Sequence, residues 1–195
     1  GEDIFTRQNK TIADYYVLSR KAGIFNPDNG SGTFDLKNAY FEYQDEGTGG
    51  GVFTGQLRVF KDNNAKEILA INGYYDEAGT YFTTSGTTPE FYLLDNKMFT
   101  EVSDIFPQVN TQMFYDRETI DSTEGITTFF TLPQEGLTIG YNVSTGLGTF
   151  CNNLNSGSVS NPEDYQDICQ RYSMLKRTTI GFEFDPVTGT FKITN

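Results

Sequence analysis

Hydrophobic and polar residues alternate along most of this chain from residue 38 onward. Side chains at every second position share one face of a β-strand, so this period predicts strands that are buried on one side. Gly, Asn and Asp residues separate the alternating segments, which is typical of antiparallel strands joined by tight turns. The predicted strands are NAYFEYQDE, GVFTGQLRVFKD, AKEILAINGYYDE, TYFTTSG, ITTFFTLPQ and GLTIGYNVST.

Two further segments predict hairpins of similar design. FYLLDNKMF and FEFDPVTGTF each place an aromatic residue, a turn led by Asp and a returning Phe in the same order. They could close equivalent sheets of a duplicated fold, with halves at about 24–107 and 126–195; the alternative is that hairpins in general look alike at this level. With 195 residues, a single β-rich domain over 1–195 is the expected organisation.

Short helices are predicted near 4–20 and 162–170. The first fits a helical pattern imperfectly, with Gly23 as its stop, and a strand at DYYVLS competes with it. The second has Pro162 in its first turn. Segment 103–125 breaks the alternation and is expected to connect the sheets through a helical turn or two. The fold class is therefore mainly β, either an antiparallel sandwich or a lipocalin-like open barrel with one or two short helices.

The composition excludes several classes of function. There is no His, which removes Ser-His-Asp and Cys-His catalysis. The net charge of −12 and the scattered Lys and Arg residues argue against nucleic acid and anionic lipid as partners. No apolar run approaches the roughly 20 residues of a membrane-spanning helix. The chain starts at Gly1 rather than Met, so we expect a processed targeting segment upstream, with or without a lipid anchor.

Cys151 and Cys169 help to identify the cellular compartment of the protein. Zinc sites use four ligands at short spacings and a catalytic Cys is normally paired with a His base, and this chain meets neither requirement. A disulfide or two unrelated buried thiols remain. A disulfide across this Asn-, Ser- and Gly-rich loop would contribute about 3 kcal/mol of stability. It would also indicate an oxidising compartment, so we expect export to the periplasm or the bacterial cell surface.

The segment 68–107 resembles a pattern in exported bacterial proteins and lipoproteins of unknown function, in which an aromatic hairpin precedes Phe, an acid, Val, Ser or Thr, and Pro. The matching positions are held by Phe99, Glu101, Val102, Ser103 and Pro107. The closing IGFEFDPVTGTFKI is similar to the terminal hairpin of such chains, which usually have Trp where Phe184 stands. The resemblance implies export and carries no catalytic position.

Carboxylates beside aromatic residues are the remaining candidates for catalysis, because glycoside hydrolysis needs only two acids. An acid that alternates with aromatics is, however, usually on the solvent face of a strand. The candidates are Glu42, Asp76, Glu77, Glu183 and Asp185.

Metal and phosphate sites are not expected. The segment 26–35 has the oxygen-bearing residues of a calcium loop, but Ser31 and Lys37 occupy the positions that require Gly and Glu, so turn chemistry explains it. The segment GTGGGVF lacks the Lys and the following helix of a phosphate-binding loop. We therefore expect no metal and no cofactor.

Paired and closely spaced tyrosines are the best candidates for ligand binding, since Tyr is amphipathic and favoured at interfaces. These residues are Tyr40, Tyr43, Tyr74 and Tyr75. The expected function is a non-catalytic, exported cell-envelope module that binds an unidentified ligand or envelope protein. The alternatives are a carboxylate-dependent glycan hydrolase and a structural or inhibitory envelope protein, for which the loop between the cysteines would be the projecting element.

Overall fold

Two antiparallel β-sheets stack face to face to form the centre of the molecule. The computed structural model describes residues 10–27, 30–46, 50–77, 83–95, 98–115, 123, 125–154 and 165–194. One sheet has seven strands and the other has four. The prediction of a mainly β sandwich is confirmed, and the strands in these ranges do not close into a barrel.

The seven-stranded sheet comes from the first half of the chain. Its strands are β1 (Ser31–Asp35), β2 (Tyr40–Glu46), β3 (Val52–Lys61), β4 (Glu67–Glu77), β5 (Thr83–Gly86), β6 (Glu90–Asp95) and β7 (Met98–Glu101). They lie in the order β1-β2-β3-β4-β6-β7, and β5 also pairs with β4. Strands β5 and β6 therefore share one edge of β4, β5 pairing with residues 74–77 and β6 with residues 68–71.

The four-stranded sheet comes from the second half. It contains β8 (Thr128–Thr131), β9 (Thr138–Val143), β10 (Thr179–Asp185) and β11 (Thr190–Thr194), in the order β11-β10-β9-β8. Each sheet thus uses one contiguous half of the sequence. Whether the halves arose by duplication stays a prediction.

The described ranges contain three short α-helices: α1 (Ile12–Ala22), α2 (Thr145–Leu154) and α3 (Gln166–Ser173). A 3-10 turn at Thr111–Phe114 lies in the segment expected to hold a helical turn. The prediction of a second helix at 162–170 agrees with α3 from Gln166 onward, and residues 162–164 lie outside the described ranges. In the part of the chain that the structure describes, no helix has the length and hydropathy needed to span a membrane.

Helix α1 is defined by its two ends. Thr11 and Asp14 form a capping box, in which the Thr11 amide donates to Asp14 Oδ2 (2.8 Å) and the Asp14 amide donates to Thr11 Oγ1 (3.3 Å). Gly23 ends the helix at φ +72°, in the left-handed region that favours glycine, so the predicted stop is confirmed. The competing strand at DYYVLS is wrong.

Two elements are missing from the sequence prediction. β1 forms where only turn chemistry was expected, and it pairs with β2 from Ser31↔Gln44 to Asp35↔Tyr40. Helix α2 forms where the stapled loop was expected to begin. The disulfide therefore begins in one helix and ends in another, rather than bridging a loop alone.

Two separate cores form on the two faces of the seven-stranded sheet. The inner core, between the sheets, contains twenty buried residues of the described chain, and its most deeply buried rings are Phe60, Phe114, Phe182 and Phe184. The outer core, between the seven-stranded sheet and α1, contains only eight, among them Ile12, Tyr15, Phe25, Phe41 and Leu57. Helix α1 is too short to cover a wide sheet, so the described residues leave part of the outer face uncovered.

The two sheets are tied together by side-chain amides. Gln56 Oε1 accepts a hydrogen bond from the Leu132 amide (2.9 Å), and Asn72 Nδ2 donates to the Phe130 carbonyl (2.8 Å) and to Gln56 Oε1 (3.0 Å). Phe130 and Leu132 lie on and just after β8, the edge strand of its sheet. The inner face of one sheet thus provides the hydrogen-bond partners that a neighbouring strand would otherwise give to β8.

Candidate functional site

The four predicted tyrosines lie on two opposite faces of the seven-stranded sheet. Tyr40 is buried in the inner core, and Tyr74 contacts the ring of Phe129 on the same side (5.2 Å between centroids). Tyr43 is buried in the outer core. Tyr75 follows Tyr74 on the same strand and so faces that outer side. The structure brings these residues together as two pairs, not as one surface, and their role in ligand binding stays a prediction.

The inner pair belongs to a buried polar cluster. Tyr40 Oη donates to Glu42 Oε2 (2.6 Å) and accepts from Gln56 Nε2 (2.8 Å). Burial and the adjacent Glu42 carboxylate raise the pKa of Tyr40, so its hydroxyl stays protonated. Burial also raises the pKa of Tyr74, with further contributions from the charges of Glu42 and Asp76. Two of the predicted acids therefore act on the same inner-face tyrosine.

The outer pair lies close to the loops. The Tyr43 hydroxyl accepts a hydrogen bond from the Gly30 amide (3.0 Å), and its side chain is 4% exposed. Tyr75 is half-buried and places its hydroxyl against Gly51, where a Cβ atom would lie only 2.0 Å from it. Neither ring is freely available on the surface. Phe53, the cross-strand partner of Tyr75, is 39% exposed.

A cleft of about 230 Å³ opens on this outer face, beyond the C-terminal end of α1. One wall is the linker 24–27, the floor is Phe53 with residues 71–73 of β4, and the far rim is Thr87, Thr88 and Glu90. Its lining is mostly apolar, with polar groups at the rim. This is the arrangement that ligand sites favour.

The cleft has a structural cause in the strand pairing. The shared edge of β4 pairs with β6 up to Ile71 and with β5 from Tyr74 onward. Asn72 and Gly73 fall in the gap, so among the described residues no strand pairs with them on that side. The backbone edge of these two residues is therefore free of a neighbouring strand in the described ranges and borders the cleft, which both residues line.

Two glycines shape the floor. Gly55 and Gly73 face each other across β3 and β4, and the rings of Phe25 and Phe53 lie over them. A Cβ at Gly55 would be 3.0 Å from Phe25 Cε2, and a Cβ at Gly73 would be 2.9 Å from Phe53 Cζ. The absence of side chains here lets the two aromatic rings pack directly against the sheet and form the apolar surface of the cleft.

The rim of the cleft is acidic on one side. Glu90 is exposed and accepts a hydrogen bond from the Tyr92 hydroxyl (2.6 Å). Burial and this carboxylate raise the pKa of Tyr92. A ligand that enters the cleft therefore meets a negative charge at its mouth.

Cys151 of α2 and Cys169 of α3 form a disulfide, with the Cα atoms 5.3 Å apart. The prediction of a disulfide is confirmed. Since neither sulfur is free, the cysteines supply no nucleophile and no metal ligand. Their role is to hold two helices together beside the inner core, to which Cys151 belongs.

Asp35 of the calcium-like segment and Asp185, one of the predicted catalytic acids, have local structural partners. Asp35 accepts hydrogen bonds from the Asn38 side chain (2.8 Å) and amide (3.0 Å), which lower its pKa. Hydrogen bonds from Lys192 and the Val187 amide lower the pKa of Asp185 to about 2. Both carboxylates thus stabilise the turns that follow them in the sequence. Asp28 and Asn29 of the calcium-like segment lie outside the described residues, and elsewhere no group of three or more Cys, Asp or Glu side chains is placed to hold a metal.

Sequence reasoning missed the residues that line the cleft, above all Phe25 and Phe53. Phe53 follows the period-two pattern like any other strand residue, and Phe25 stands in a segment that looks like an ordinary loop. The usable signal was the pair of glycines inside predicted strands, in FTGQ and INGY. Glycine within a strand often marks a close approach of another group.

Comparison with known proteins adds little. A scan against protein-family models finds no match, and a search of curated proteins finds none either. Among solved structures, the chain is similar to a domain of an uncharacterized protein from Porphyromonas gingivalis W83, at 9% sequence identity. The match covers 93% of this chain and 88% of that one, with a TM-score of 0.48. At this level the likeness supports no functional conclusion.

Proposed function

We propose that this chain is an exported, non-catalytic module of the cell envelope that binds a ligand or partner protein through the cleft at the end of α1. The observation that carries the proposal is the combination of an apolar floor and an interrupted strand edge at Asn72 and Gly73. The disulfide supports export, because disulfides persist in oxidising compartments.

The size of the cleft limits what it binds. Its volume of about 230 Å³ is below the roughly 300–1,000 Å³ of sites that enclose whole small molecules. It therefore suits one apolar side chain or one ring of a larger ligand. The charge of −12 and the carboxylate of Glu90 at the rim favour a ligand that carries positive charge next to that apolar group.

The test uses two phenylalanines on the outer face of the same sheet. Phe53 lines the cleft and is 39% exposed, whereas Phe34 on β1 is 41% exposed and lies outside it. We expect an array of peptides and glycans to yield binders whose affinity falls about tenfold in Phe53→Ala and stays unchanged in Phe34→Ala. Binders that lose affinity equally in both variants, or in neither, would refute the proposal.

A second candidate is a carboxylate-dependent glycan hydrolase on the inner face. The observation that favours it is that burial of Tyr74 on the inner face and, in addition, the charges of both Glu42 and Asp76 raise the pKa of this tyrosine. If this candidate holds, the wild-type protein releases reducing ends from a soluble polysaccharide, and Asp76→Asn abolishes the release. Equal amounts of reducing ends with wild type, Asp76→Asn and buffer would exclude it.

A further inference from the structure

A second cavity lies between the inner face of the four-stranded sheet and the loops beside it. Its volume is about 480 Å³, which falls within the roughly 300–1,000 Å³ of sites that enclose whole small molecules. Residues of β8 and β9 form one side, and the end of β5 with the segment 109–112 forms the other. The cavity shares only Thr88 with the cleft near α1, so most of its lining is its own.

The lining of this cavity is polar without being charged. Seven of the ten described residues that line it carry a hydroxyl or a side-chain amide: four threonines, Asn110, Gln112 and Tyr141. None of the ten is Asp, Glu, Lys or Arg, although these four types make up 21% of the chain. A charged ligand would lose its water here without gaining an opposite charge, which costs free energy. The lining therefore favours a neutral polar ligand.

The polar groups of the cavity both donate and accept hydrogen bonds. Thr128 Oγ1 and Tyr141 Oη lie 3.1 Å apart, and the hydrogen bond between them uses only one of the two hydroxyl hydrogens. The amides of Asn110 and Gln112 each combine a carbonyl acceptor with an NH₂ donor. Carboxylates and phosphates are mainly acceptors and ammonium groups only donate, so neither complements such a set. Hydroxyl groups of a ligand complement it, because they do both.

Buried aromatic rings fix the geometry of the cavity. Tyr141 pairs with Phe130 across β8 and β9, and the two rings stack with their centroids 4.4 Å apart and 12° between their planes. Phe114, which is 0% exposed, contacts Tyr141 from the 3-10 turn (4.8 Å between centroids). The same turn carries Thr111 and Gln112 of the lining, so the core holds them beside Tyr141. A preformed site of this kind loses little conformational freedom when a ligand binds.

We propose that this cavity binds a neutral sugar ring. A sugar ring has hydroxyl groups around its edge, which both donate and accept, and C–H groups on its faces, which pack against apolar side chains. Val109 and the ring of Phe130 provide that apolar contact inside the cavity. Glu42 and Asp76, the acids of the hydrolase candidate, are not among the described lining residues, so the proposal concerns binding without cleavage.

The experiment titrates isotope-labelled protein with glucose, galactose, mannose and N-acetylglucosamine and follows the backbone amide shifts by NMR. We expect at least one of these sugars to cause saturable shifts at residues 86–88, 109–112 and 128. Glucuronic acid and glucosamine, which add a negative or a positive charge to the ring, should bind about tenfold more weakly. The methyl glycoside of the sugar that binds identifies its source: retained binding indicates a residue of a glycan, and lost binding indicates a free sugar.

Two variants test the polar groups of the lining, each with a matched control. Gln112→Ala removes an exposed amide of the cavity and should lower the affinity about three- to tenfold. Gln108→Ala, an exposed position of the same segment outside the lining, should leave it unchanged. Thr128→Val keeps the shape of the side chain and should lower the affinity by a similar factor, whereas Thr138→Val at an exposed position of β9 should not.

Three results would overturn the proposal. One is the absence of saturable shifts at these residues with all four neutral sugars. Another is an affinity of both Gln112→Ala and Thr128→Val equal to that of the wild type, or charged sugars that bind as tightly as the neutral ones. The third is a set of shifts confined to the cleft near α1, which would leave the proposed function of that cleft standing.

Discussion

The two cores on either side of the seven-stranded sheet differ in how completely they are closed. A second sheet covers the inner core, and the side-chain amides of Gln56 and Asn72 bind the backbone at β8 of that sheet. The outer core is covered by α1, an 11-residue helix, and a cleft remains where the helix ends. Under the proposed function the two faces divide the roles: the closed face provides stability, and the face that the described residues cover only in part binds the ligand.

The largest effect is expected from truncating a ring in the closed core. Phe182 is 0% exposed and packs against Phe106 and Phe130, so Phe182→Ala should cost about 3–5 kcal/mol in the free energy of unfolding. Phe25→Ala, beside the cleft, should cost less, about 2–3 kcal/mol, because that site is already open to water. Urea unfolding measures both, and equal losses would contradict the proposed difference between the cores.

The disulfide should contribute nearly as much to the free energy of unfolding as the ring of Phe182 does. Because 18 residues separate the two cysteines, Cys151→Ser is expected to lose about 3 kcal/mol and to melt at a lower temperature. At 25 °C the core should stay closed to a hydrophobic dye, since the sheets do not depend on this bond. Wild-type protein treated with a reductant should match the variant; an unchanged melting temperature in both would contradict the prediction.

The third-largest loss of stability is expected from replacing Gln56, whose side-chain amide joins the two sheets. Gln56→Ala leaves the Leu132 amide without its acceptor and removes a donor from Tyr40, so a loss of about 2–3 kcal/mol is expected. Gln44→Ala removes an exposed side chain of the same type from β2 and serves as the control. If the two variants unfold at the same urea concentration, the amide does not hold the sheets together.

The sequence predicted the strands well because period-two alternation reports burial on one face directly. It missed α2 because Gly146 and Gly148 lower helix propensity. In the fold, Leu147 and Phe150 are buried, and a Cβ at Gly148 would lie 2.3 Å from the Tyr172 hydroxyl. Tertiary contact with α3 thus overrides local preference, which no single window of sequence shows.

The candidate site was less accessible to prediction than the fold. Alternation shows that Tyr74 and Tyr75 face opposite sides, but it does not tell which side is covered. The cleft depends on where β4 changes its neighbour from β6 to β5, which is a long-range property of pairing. Phe25 reaches the wall of the cleft only because α1 stops at Gly23, two residues earlier.

The smallest effect at neutral pH is expected from one buried tyrosine in each core. Tyr15 Oη donates to Glu67 Oε2 (2.6 Å) in the outer core, and Tyr40 Oη donates to Glu42 Oε2 in the inner one. At pH 7, Tyr15→Phe and Tyr40→Phe should each cost about 1 kcal/mol.

The same two tyrosines should make stability depend on alkaline pH. Burial raises the pKa of both above the unfolded value near 10, so their stabilisation is complete below pH 10 and is lost as the pH rises above it. Tyrosinate absorbance at 295 nm should therefore show a last step that coincides with loss of circular dichroism. Ionisation of all twelve tyrosines in a folded protein would contradict this prediction.

The hydrogen bonds from Gln56 and Asn72 to the edge at β8 also affect how the protein behaves at high concentration. A bare edge strand presents unpaired N–H and C=O groups that can recruit another chain into a growing fibril. On β8 the Phe130 carbonyl, and just after it the Leu132 amide, are already occupied from within the same molecule. Gln56 and Asn72 therefore leave fewer free backbone groups at this edge for a second chain to bind, in addition to joining the two sheets.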